Sequence, residues 1–249
     1  MITFAGVGKR YRPDAWAVRD VSFEVAAGEF VAVLGESGSG KTTLIKLVNR
    51  LTEPTEGSIT VAGKRVSDCD PVELRRTIGY VIQQVGLLPH LTVGANVAMV
   101  PRLLGWDATT ISKRVAELLE LVGLPELSER YPDQLSGGQR QRIGVARALA
   151  ARSKIMLLDE PFGGLDPITR LALQRELKRI HRELALTSVM VTHDMVEALT
   201  LADRIAIVFR GALKQIGTPR ELMTKPADPY VEQLMAMARH QAAQLMAAT

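Results

Sequence analysis

The sequence lacks the features that mark an oxidising compartment, a membrane span or a nucleic acid partner. Its one cysteine, Cys69, cannot form an internal disulfide, which fits a reducing cytosol. No uninterrupted apolar run reaches the roughly 18 residues of a membrane span, and we expect no signal peptide at the start. The net charge is only +4, and no stripe of lysines and arginines alternates with aromatic residues. We therefore expect a chain that does not itself cross a membrane and binds no nucleic acid.

What the sequence does contain is a large apolar fraction and a complete phosphate-binding motif. With 249 residues, 47% of them hydrophobic, the chain can bury a substantial core. A G-x-x-x-x-G-K-[ST] motif follows the apolar run Phe30–Leu34 and precedes residues 43–51, whose apolar positions have helical spacing. In this arrangement backbone N–H groups and a helix N-terminus converge on one anion. The predicted nucleoside triphosphate contacts are Gly35, Glu36, Ser37, Gly38, Ser39, Gly40, Lys41, Thr42 and Thr43.

Three residues in and near this motif have separate predicted roles. Lys41 can reach the β- and γ-phosphates, and the Thr42 hydroxyl can bind Mg²⁺. Tyr11 lies upstream, outside any clear strand, and offers a flat surface for a nucleotide base. The alternative for Tyr11 is an ordinary exposed tyrosine.

The order of the elements predicts an α/β fold with a P-loop NTPase core and a mainly parallel sheet. Short alternating strands before residue 30 and at 58–61 favour an antiparallel β subdomain at the N-terminus. Residues 84–150 have mostly helical patterns and no strand pattern, so we interpret them as a helical subdomain inserted into the α/β core. Strands and helices alternate again from Ile155 onward, which is typical of a parallel sheet.

Polar residues follow several of the predicted core strands, at the edge where parallel sheets bind ligands. Asp159 ends an apolar run and can support Mg²⁺, whereas the next side chain, Glu160, points elsewhere and suits a general base for water. Gln83 can contact the cation or the water, and His193 can touch the γ-phosphate. The alternatives are an acidic turn, a surface glutamine and a loop histidine. We expect these residues to converge with the phosphate loop.

A second candidate anion site begins at Ser136, which is a good helix N-cap. Gly137, Gly138 and Gln139 follow, and the glycines expose backbone N–H groups at the positive end of a predicted helix. Two phosphate-recognition elements in one chain suit a head-to-tail pair of copies. Each nucleotide would lie between the Lys41 loop of one copy and the Ser136 loop of the other. ATP would then hold the pair together, and hydrolysis would release it.

In order and spacing, the chain resembles the ATPase subunit of ATP-binding cassette (ABC) transporters from residue 2 to about residue 230. The elements that carry the likeness are the phosphate loop, Gln83, Leu135-Ser136-Gly137-Gly138-Gln139, the strand ending Asp159-Glu160, and His193. The resemblance implies that the bound nucleotide is ATP. Thr42, Gln83 and Asp159 are the Mg²⁺ ligands expected from the residues themselves.

The resemblance also implies roles between subunits. Tyr11 would stack on adenine, and Ser136 and Gly138 would contact the γ-phosphate held by the facing copy. Asp166 would act across the pair, in a loop that reads Gly-Gly-Leu-Asp where the family usually has Ser-Ala-Leu-Asp. The region around Gln83 would dock on a membrane-spanning permease subunit.

A narrower likeness is to importers of quaternary-amine osmoprotectants such as glycine betaine, choline and carnitine. Residues 70–76, 78–84, 101–106 and 162–170 carry it. This resemblance implies a homodimeric ATPase that is peripheral to the cytoplasmic face of the cell membrane. Its partners would be permease subunits and an extracytoplasmic solute-binding protein, and those partners would select the solute.

Other functions stay open at this stage. One is an importer ATPase for a different small polar solute, such as an amino acid. Another is a non-transport ABC protein acting on ribosomes or DNA, although such proteins usually carry tandem cassettes or a long coiled coil, and neither occurs here. A P-loop kinase or GTPase would have no use for the Ser136 element, and no Asn-Lys-x-Asp motif is present.

The predicted domain organisation is one ATPase domain over residues 1–235, with a tail over residues 236–249. The tail is rich in methionine and alanine. It suits a loosely packed terminal helix, and the alternative is a regulatory or dimer-stabilising segment.

Overall fold

The computed structural model describes residues 1–247, with side chains up to residue 240. These residues form two units, which are described separately. Unit 1 comprises Met1–Cys69 and the chain from Val189 onward, and unit 2 comprises Asp70–Ser188.

Unit 1 contains the phosphate-binding motif and most of the strands. Its elements are β1 (Ile2–Arg12), β2 (Ala15–Val25), β3 (Phe30–Leu34), α1 (Lys41–Val48), β4 (Glu56–Val61), β5 (Lys64–Arg65), most of β8 (Thr187–Thr192), α7 (Met195–Leu201), β9 (Arg204–Phe209), β10 (Ala212–Gly217), α8 (Pro219–Thr224) and α9 (Pro229–Ala247).

The N-terminal strands form an antiparallel sheet in the order β2-β1-β4-β5. Its register pairs Ile2 with Val25 on one side and with Val61 on the other. Toward the end of β2 the side chains alternate between buried and exposed, as expected for a sheet with one face on the core. Phe4 and Phe23 stack across this sheet with ring centroids 4.4 Å apart. The predicted antiparallel subdomain is confirmed.

The prediction that Tyr11 lies outside any strand was wrong, because β1 runs to Arg12. The last residues of β1 are charged and give no alternating pattern. They extend because they pair with β2, with Arg10 opposite Trp16 and Arg12 opposite Ala15, through several register shifts.

A second group of strands in unit 1 surrounds β3, all five residues of which are buried. Strands β10, β9, β3 and β8 are hydrogen-bonded neighbours in that order. β3 and β9 are parallel, with Val31 opposite Arg204, and β10 pairs antiparallel with β9. Strands buried on both faces read as continuous apolar runs, which is why β3 was visible in the sequence.

Unit 2 holds the remaining strands and the helical region. Its elements are α2 (Pro71–Arg76), β6 (Ile78–Val81), α3 (Val93–Leu103), α4 (Ala108–Leu121), α5 (Gly137–Leu149), β7 (Ile155–Asp159), α6 (Pro167–Glu183) and the first residues of β8. β6 and β7 are parallel, with Ile78 opposite Ile155.

Between Val81 and Ile155 the described chain contains no strand. The apolar face predicted for α4 is buried, including Ile111, Leu118 and Leu119. With the parallel strand pairs and the N-terminal antiparallel sheet, this helical region confirms the predicted α/β fold class.

Two further observations concern helices. Within the described residues, no helix combines the length and the apolar composition that crossing a bilayer requires. Helix α9 contains the predicted boundary at residue 235, with Val231 and Met235 buried and Met237 largely exposed. The last two residues of the predicted tail lie outside the described residues, which stop at residue 247.

Candidate functional site

The phosphate loop between β3 and α1 is a close-packed turn that needs glycine at two positions. A Cβ at Gly35 would lie 2.1 Å from the carbonyl oxygen of Val208. One at Gly40 would lie 2.1 Å from the carbonyl oxygen of Ala17, and Gly40 also has a φ of +99°. A side chain is therefore excluded at both positions, and the backbone N–H groups of the turn stay close together.

Lys41 lies inside this loop with only 5% of its surface exposed. Its Nζ donates hydrogen bonds to the loop's own carbonyl oxygens, at 2.8 Å from Gly35 and 2.7 Å from Glu36. The Ser39 hydroxyl is buried and has no hydrogen-bond partner among the described residues, and the N-cap of α1 is Gly40, which has no side chain. Because a buried cation, an unsatisfied hydroxyl and the N-terminus of a helix all suit an anion, these residues fit a bound phosphate group.

Tyr11 and the phosphate loop belong to the same unit. Tyr11 is 58% exposed, so much of the residue is accessible to solvent. Lys9 Nζ lies 5.2 Å from the ring centroid, within the range of a cation–π contact. Stacking of adenine on Tyr11 stays a prediction.

His193 is exposed on a turn that is held by buried groups on either side of it. The Thr192 hydroxyl donates to Glu197 Oε2 at 2.6 Å and accepts the Asp194 N–H at 2.9 Å. Asp194 in turn caps α7 by accepting the N–H groups of Val196 and Glu197. The hydrogen bonds fix the backbone around His193 while its imidazole stays exposed.

In unit 2, Asp159 ends β7 and is only 4% exposed. The Tyr80 hydroxyl lies 3.4 Å from Asp159 Oδ2 and donates to it. Burial first, and then the nearby Asp159 carboxylate, raises the pKa of Tyr80 above its ordinary value. The tyrosine therefore stays protonated and remains a donor to the carboxylate.

Glu160 leaves the direction of the strand at once. Its φ is +45°, and its carbonyl oxygen accepts the Gly163 N–H at 3.2 Å, which closes a turn. Its side-chain Oε2 accepts a hydrogen bond from Gln83 Nε2 at 3.0 Å. The two adjacent acidic side chains thus have different partners, because the backbone turns between them.

Ser136 caps helix α5 in the reciprocal arrangement known as a capping box. Its hydroxyl accepts the Gln139 N–H at 3.2 Å, and its own N–H donates to Gln139 Oε1 at 2.9 Å. Gly138, the second residue of the helix, packs against α6, where an added Cβ would lie 2.4 Å from Thr169 Cγ2. The glycine at 138 is therefore required by packing within the chain, independently of any ligand.

Asp166 caps α6 within its own chain. Its Oδ1 accepts the N–H groups of Ile168 at 3.1 Å and Thr169 at 3.0 Å. Hydrogen bonds, led by that of the Thr169 side chain, lower the pKa of the Asp166 carboxyl. The carboxylate is exposed and charged at neutral pH, and the cross-subunit role of Asp166 stays a prediction.

A cavity of about 670 Å³ lies among α3, α4 and the loop after them, and a second of about 340 Å³ lies among predicted site residues of unit 2. Residues 83–87, Gly137 and residues 163–165 contribute to the lining of the second. Unit 2 therefore brings together the loop after Gln83, the start of α5 and the loop after Glu160. Convergence of these groups with the phosphate loop of unit 1 stays a prediction.

The predicted Mg²⁺ ligands are a hydroxyl, a side-chain amide and a carboxylate, which are the hard oxygen donors that Mg²⁺ prefers. Among the described residues, no three His, Cys, Asp or Glu side chains cluster as a ready-made metal site. Binding of Mg²⁺ by Thr42, Gln83 and Asp159 stays a prediction.

Sequence reasoning missed three residues that support the site: Tyr80 beside Asp159, Glu197 beneath the His193 turn, and Arg147 beside the loop after Gln83. Period-two alternation along β6 gives a weak signal for Tyr80. The other two contacts have no local signal.

Comparison with known proteins finds similar sequences over most of the chain. The family model described as "ABC transporter" matches residues 18–163. The choline transport ATP-binding protein OpuBA of Bacillus subtilis is 51% identical over 240 residues, or 96% of this chain. The glycine betaine uptake system ATP-binding protein YehX of Escherichia coli is 48% identical over 94% of this chain and 76% of its own length. The chain spans about 63% of the length of OpuBA.

Among solved structures, the chain is similar to the ATP-binding cassette MJ0796, a dimer in a post-hydrolysis state bound to ADP and phosphate. The two are 35% identical and superpose with a TM-score of 0.79, covering 88% of this chain and 99% of that one.

Proposed function

The chain belongs to the ABC transporter family, and from that premise we propose that it is the ATP-hydrolysing subunit of an importer for a small polar solute. The observation that carries the proposal is the phosphate loop, in which Lys41 is buried on the loop's own carbonyl oxygens. A triphosphate would take over the Lys41 ammonium and the unsatisfied Ser39 hydroxyl. ATP is the proposed nucleotide, with Tyr11 as the stacking surface for its base.

Hydrolysis is assigned to Glu160 as general base, with Gln83 orienting the same carboxylate at 3.0 Å. His193, on its fixed turn, is the proposed contact for the γ-phosphate. Mg²⁺, when bound, would neutralise charge on the β- and γ-phosphates. Thr42, Gln83 and Asp159 would hold that ion.

The substitution Glu160→Gln tests the proposal. An amide cannot take a proton from water, but its oxygen can still accept the Gln83 hydrogen bond, so the local structure is kept. We expect turnover of Mg²⁺-ATP by the full chain to fall by about 100-fold or more, with ATP affinity within about twofold of wild type. The variant should also accumulate as an ATP-bound dimer, measured by light scattering after size exclusion.

A matched control is Glu117→Gln, an exposed glutamate on α4 with one salt bridge to Arg114. It should hydrolyse ATP at the wild-type rate. Undiminished turnover in the Glu160 variant would remove Glu160 from the role of base.

The partners are also proposed: a second copy of this chain, membrane-spanning permease subunits and, through the permease, an extracytoplasmic solute-binding protein. The proposed location is the cytoplasmic face of the cell membrane. Isolating the chain from its native membrane tests this proposal. A multi-span hydrophobic subunit should co-purify, whereas ribosomal proteins or DNA would favour the non-transport alternative.

For the solute we propose a quaternary-amine osmoprotectant. Support comes from the names of two relatives, the choline transport protein OpuBA and the glycine betaine uptake protein YehX. The test measures the uptake of radiolabelled glycine betaine, choline or carnitine in cells that contain or lack this chain. Uptake of radiolabelled amino acids is the comparison. Loss of amino acid uptake alone would assign the chain to another class of importer.

A further inference from the structure

The loop that follows Gln83 has an unusual backbone. The Val85 N–H donates to the carbonyl oxygen of Ile82 at 2.9 Å, so Gln83 lies in the middle of a tight turn. The Gly86 N–H then donates to the carbonyl oxygen of Gln84, which makes Val85 the centre of a three-residue turn. Val85 has a φ of +51°, a strained value for a β-branched residue. A strained turn persists only where its surroundings hold it.

The Arg147 side chain, on α5, restrains this turn by binding its backbone carbonyl groups. Its guanidinium donates from Nη1 to the Gly86 carbonyl oxygen at 2.7 Å, and from Nη2 to that of Val85. A planar fork reaching two successive carbonyl groups restrains both peptide planes at once. Arg147 is separated from Gly86 by 61 positions in the chain and from Val85 by 62.

Gly144 restrains the same turn by packing against the side chain of Val85. It lies three residues before Arg147 and thus on the same face of α5. A Cβ at Gly144 would lie only 2.6 Å from Val85 Cγ1, so the valine methyl group occupies the space that the glycine leaves. Val85 is therefore fixed on both its carbonyl oxygen and its side chain by one helix.

We propose that Arg147 and Gly144 are positioning residues for ATP hydrolysis, and that they act through Val85 on Gln83. By holding Val85 in its strained turn, they place the Gln83 amide where it donates to Glu160. The inference rests on the proposed role of Glu160 as general base.

The same helix gives this arrangement a second consequence. α5 begins at Gly137, directly after Ser136, and Arg147 lies ten residues further along, about 15 Å at 1.5 Å per residue. A helix moves as a rigid body over that length, so the Ser136 element and the turn at Val85 move together. Engagement of Ser136 by a nucleotide would thereby be transmitted to the pair formed by Gln83 and Glu160.

The first test compares Arg147→Met, Arg147→Lys and, as a matched control on the same helix, Arg142→Met. Measured in the full chain with Mg²⁺-ATP, Arg147→Met should lower kcat about tenfold with KM within about twofold, because the phosphate loop is untouched. The kcat of Arg147→Lys should lie between those of Arg147→Met and wild type, since one ammonium cannot span two carbonyl groups as the guanidinium does. Arg142→Met should keep the wild-type kcat.

The second test uses Gly144→Ala with and without Val85→Ala. The single Gly144 variant introduces the clash with Val85 Cγ1 and should lower kcat about tenfold. In the double variant the clashing methyl group is gone, so kcat should return to within about twofold of the Val85→Ala single variant. This pair decides the question even if Arg147→Met fails to fold.

Failure has two distinguishable forms. If Gly144→Ala and Arg147→Met melt at lower temperature but keep the wild-type kcat, the contact is a structural anchor and the inference is wrong. Failure of Val85→Ala to restore Gly144→Ala overturns it as well. An inactive wild-type chain, or an active Glu160→Gln variant, would instead refute the proposed function and the inference with it.

Discussion

The substitution Gly138→Ala separates two requirements placed on one glycine. Gly138 belongs to the proposed γ-phosphate contact, and within its own chain it packs on Thr169 at the start of α6. An alanine Cβ would lie 2.4 Å from Thr169 Cγ2, whereas ordinary contacts are 3.4–4 Å, so about 1 Å of movement is required. Thr169 cannot rotate away freely, because its side chain is hydrogen-bonded to the Asp166 carboxylate.

Overpacking of this kind destabilises by about 1–3 kcal/mol, and the better helix propensity of alanine offsets up to about 1 kcal/mol. With the centre of that range, about 2 kcal/mol, taken as the overpacking cost, the net loss is roughly 1–2 kcal/mol. For a chain of this length, that lowers the midpoint of thermal unfolding by about 2–8 °C. Differential scanning calorimetry of the nucleotide-free chain measures the change directly.

Thr169→Ser supplies the matched rescue, because serine lacks Cγ2 but keeps the hydroxyl. The double variant Gly138→Ala/Thr169→Ser should melt only slightly below the Thr169→Ser single variant, because the clash with Cγ2 is gone. Its ATP turnover measures the second requirement separately, because a double variant that regains stability but stays inactive shows that glycine at 138 also serves the nucleotide. A Gly138→Ala chain as stable as wild type, or a double variant that melts no higher than Gly138→Ala, would refute the packing argument.

Two further predictions concern the helix caps of unit 2. Ser136→Arg should abolish ATP turnover, while the affinity of the monomer for ATP, measured by calorimetric titration, stays within about twofold of wild type. If monomer affinity falls as much as turnover does, Ser136 acts on the nucleotide of its own chain. Because the pKa of Asp166 is lowered in the folded chain, its contribution to stability is complete above about pH 4 and is lost as the pH falls through the lowered pKa. Asp166→Ala should therefore melt below wild type at neutral pH, and the gap should close in acid. A gap of constant size across the acid titration would contradict the capping role.

The loop motifs and the amphipathic patterns were predictable because each depends on residues close together in the chain. The phosphate loop needs glycine, lysine and threonine at set positions between a strand and a helix, and local chemistry is enough to indicate it. The face of α4 that carries Ile111 and Leu118 follows from helical periodicity alone. The same limit explains the error at Tyr11, where pairing with β2 extends a charged segment that has no strand pattern of its own.

The sequence by itself determined the phosphate loop, the acidic pair at the end of β7 and the cap at Ser136. Only the tertiary structure decided that Glu160 turns toward Gln83, 77 positions away, and that Gly138 packs on Thr169. It alone placed Arg147 on the turn at Val85. The physical reason is that a packing contact depends on where two backbones meet in space. The local sequence of either segment does not indicate which distant segment it will contact.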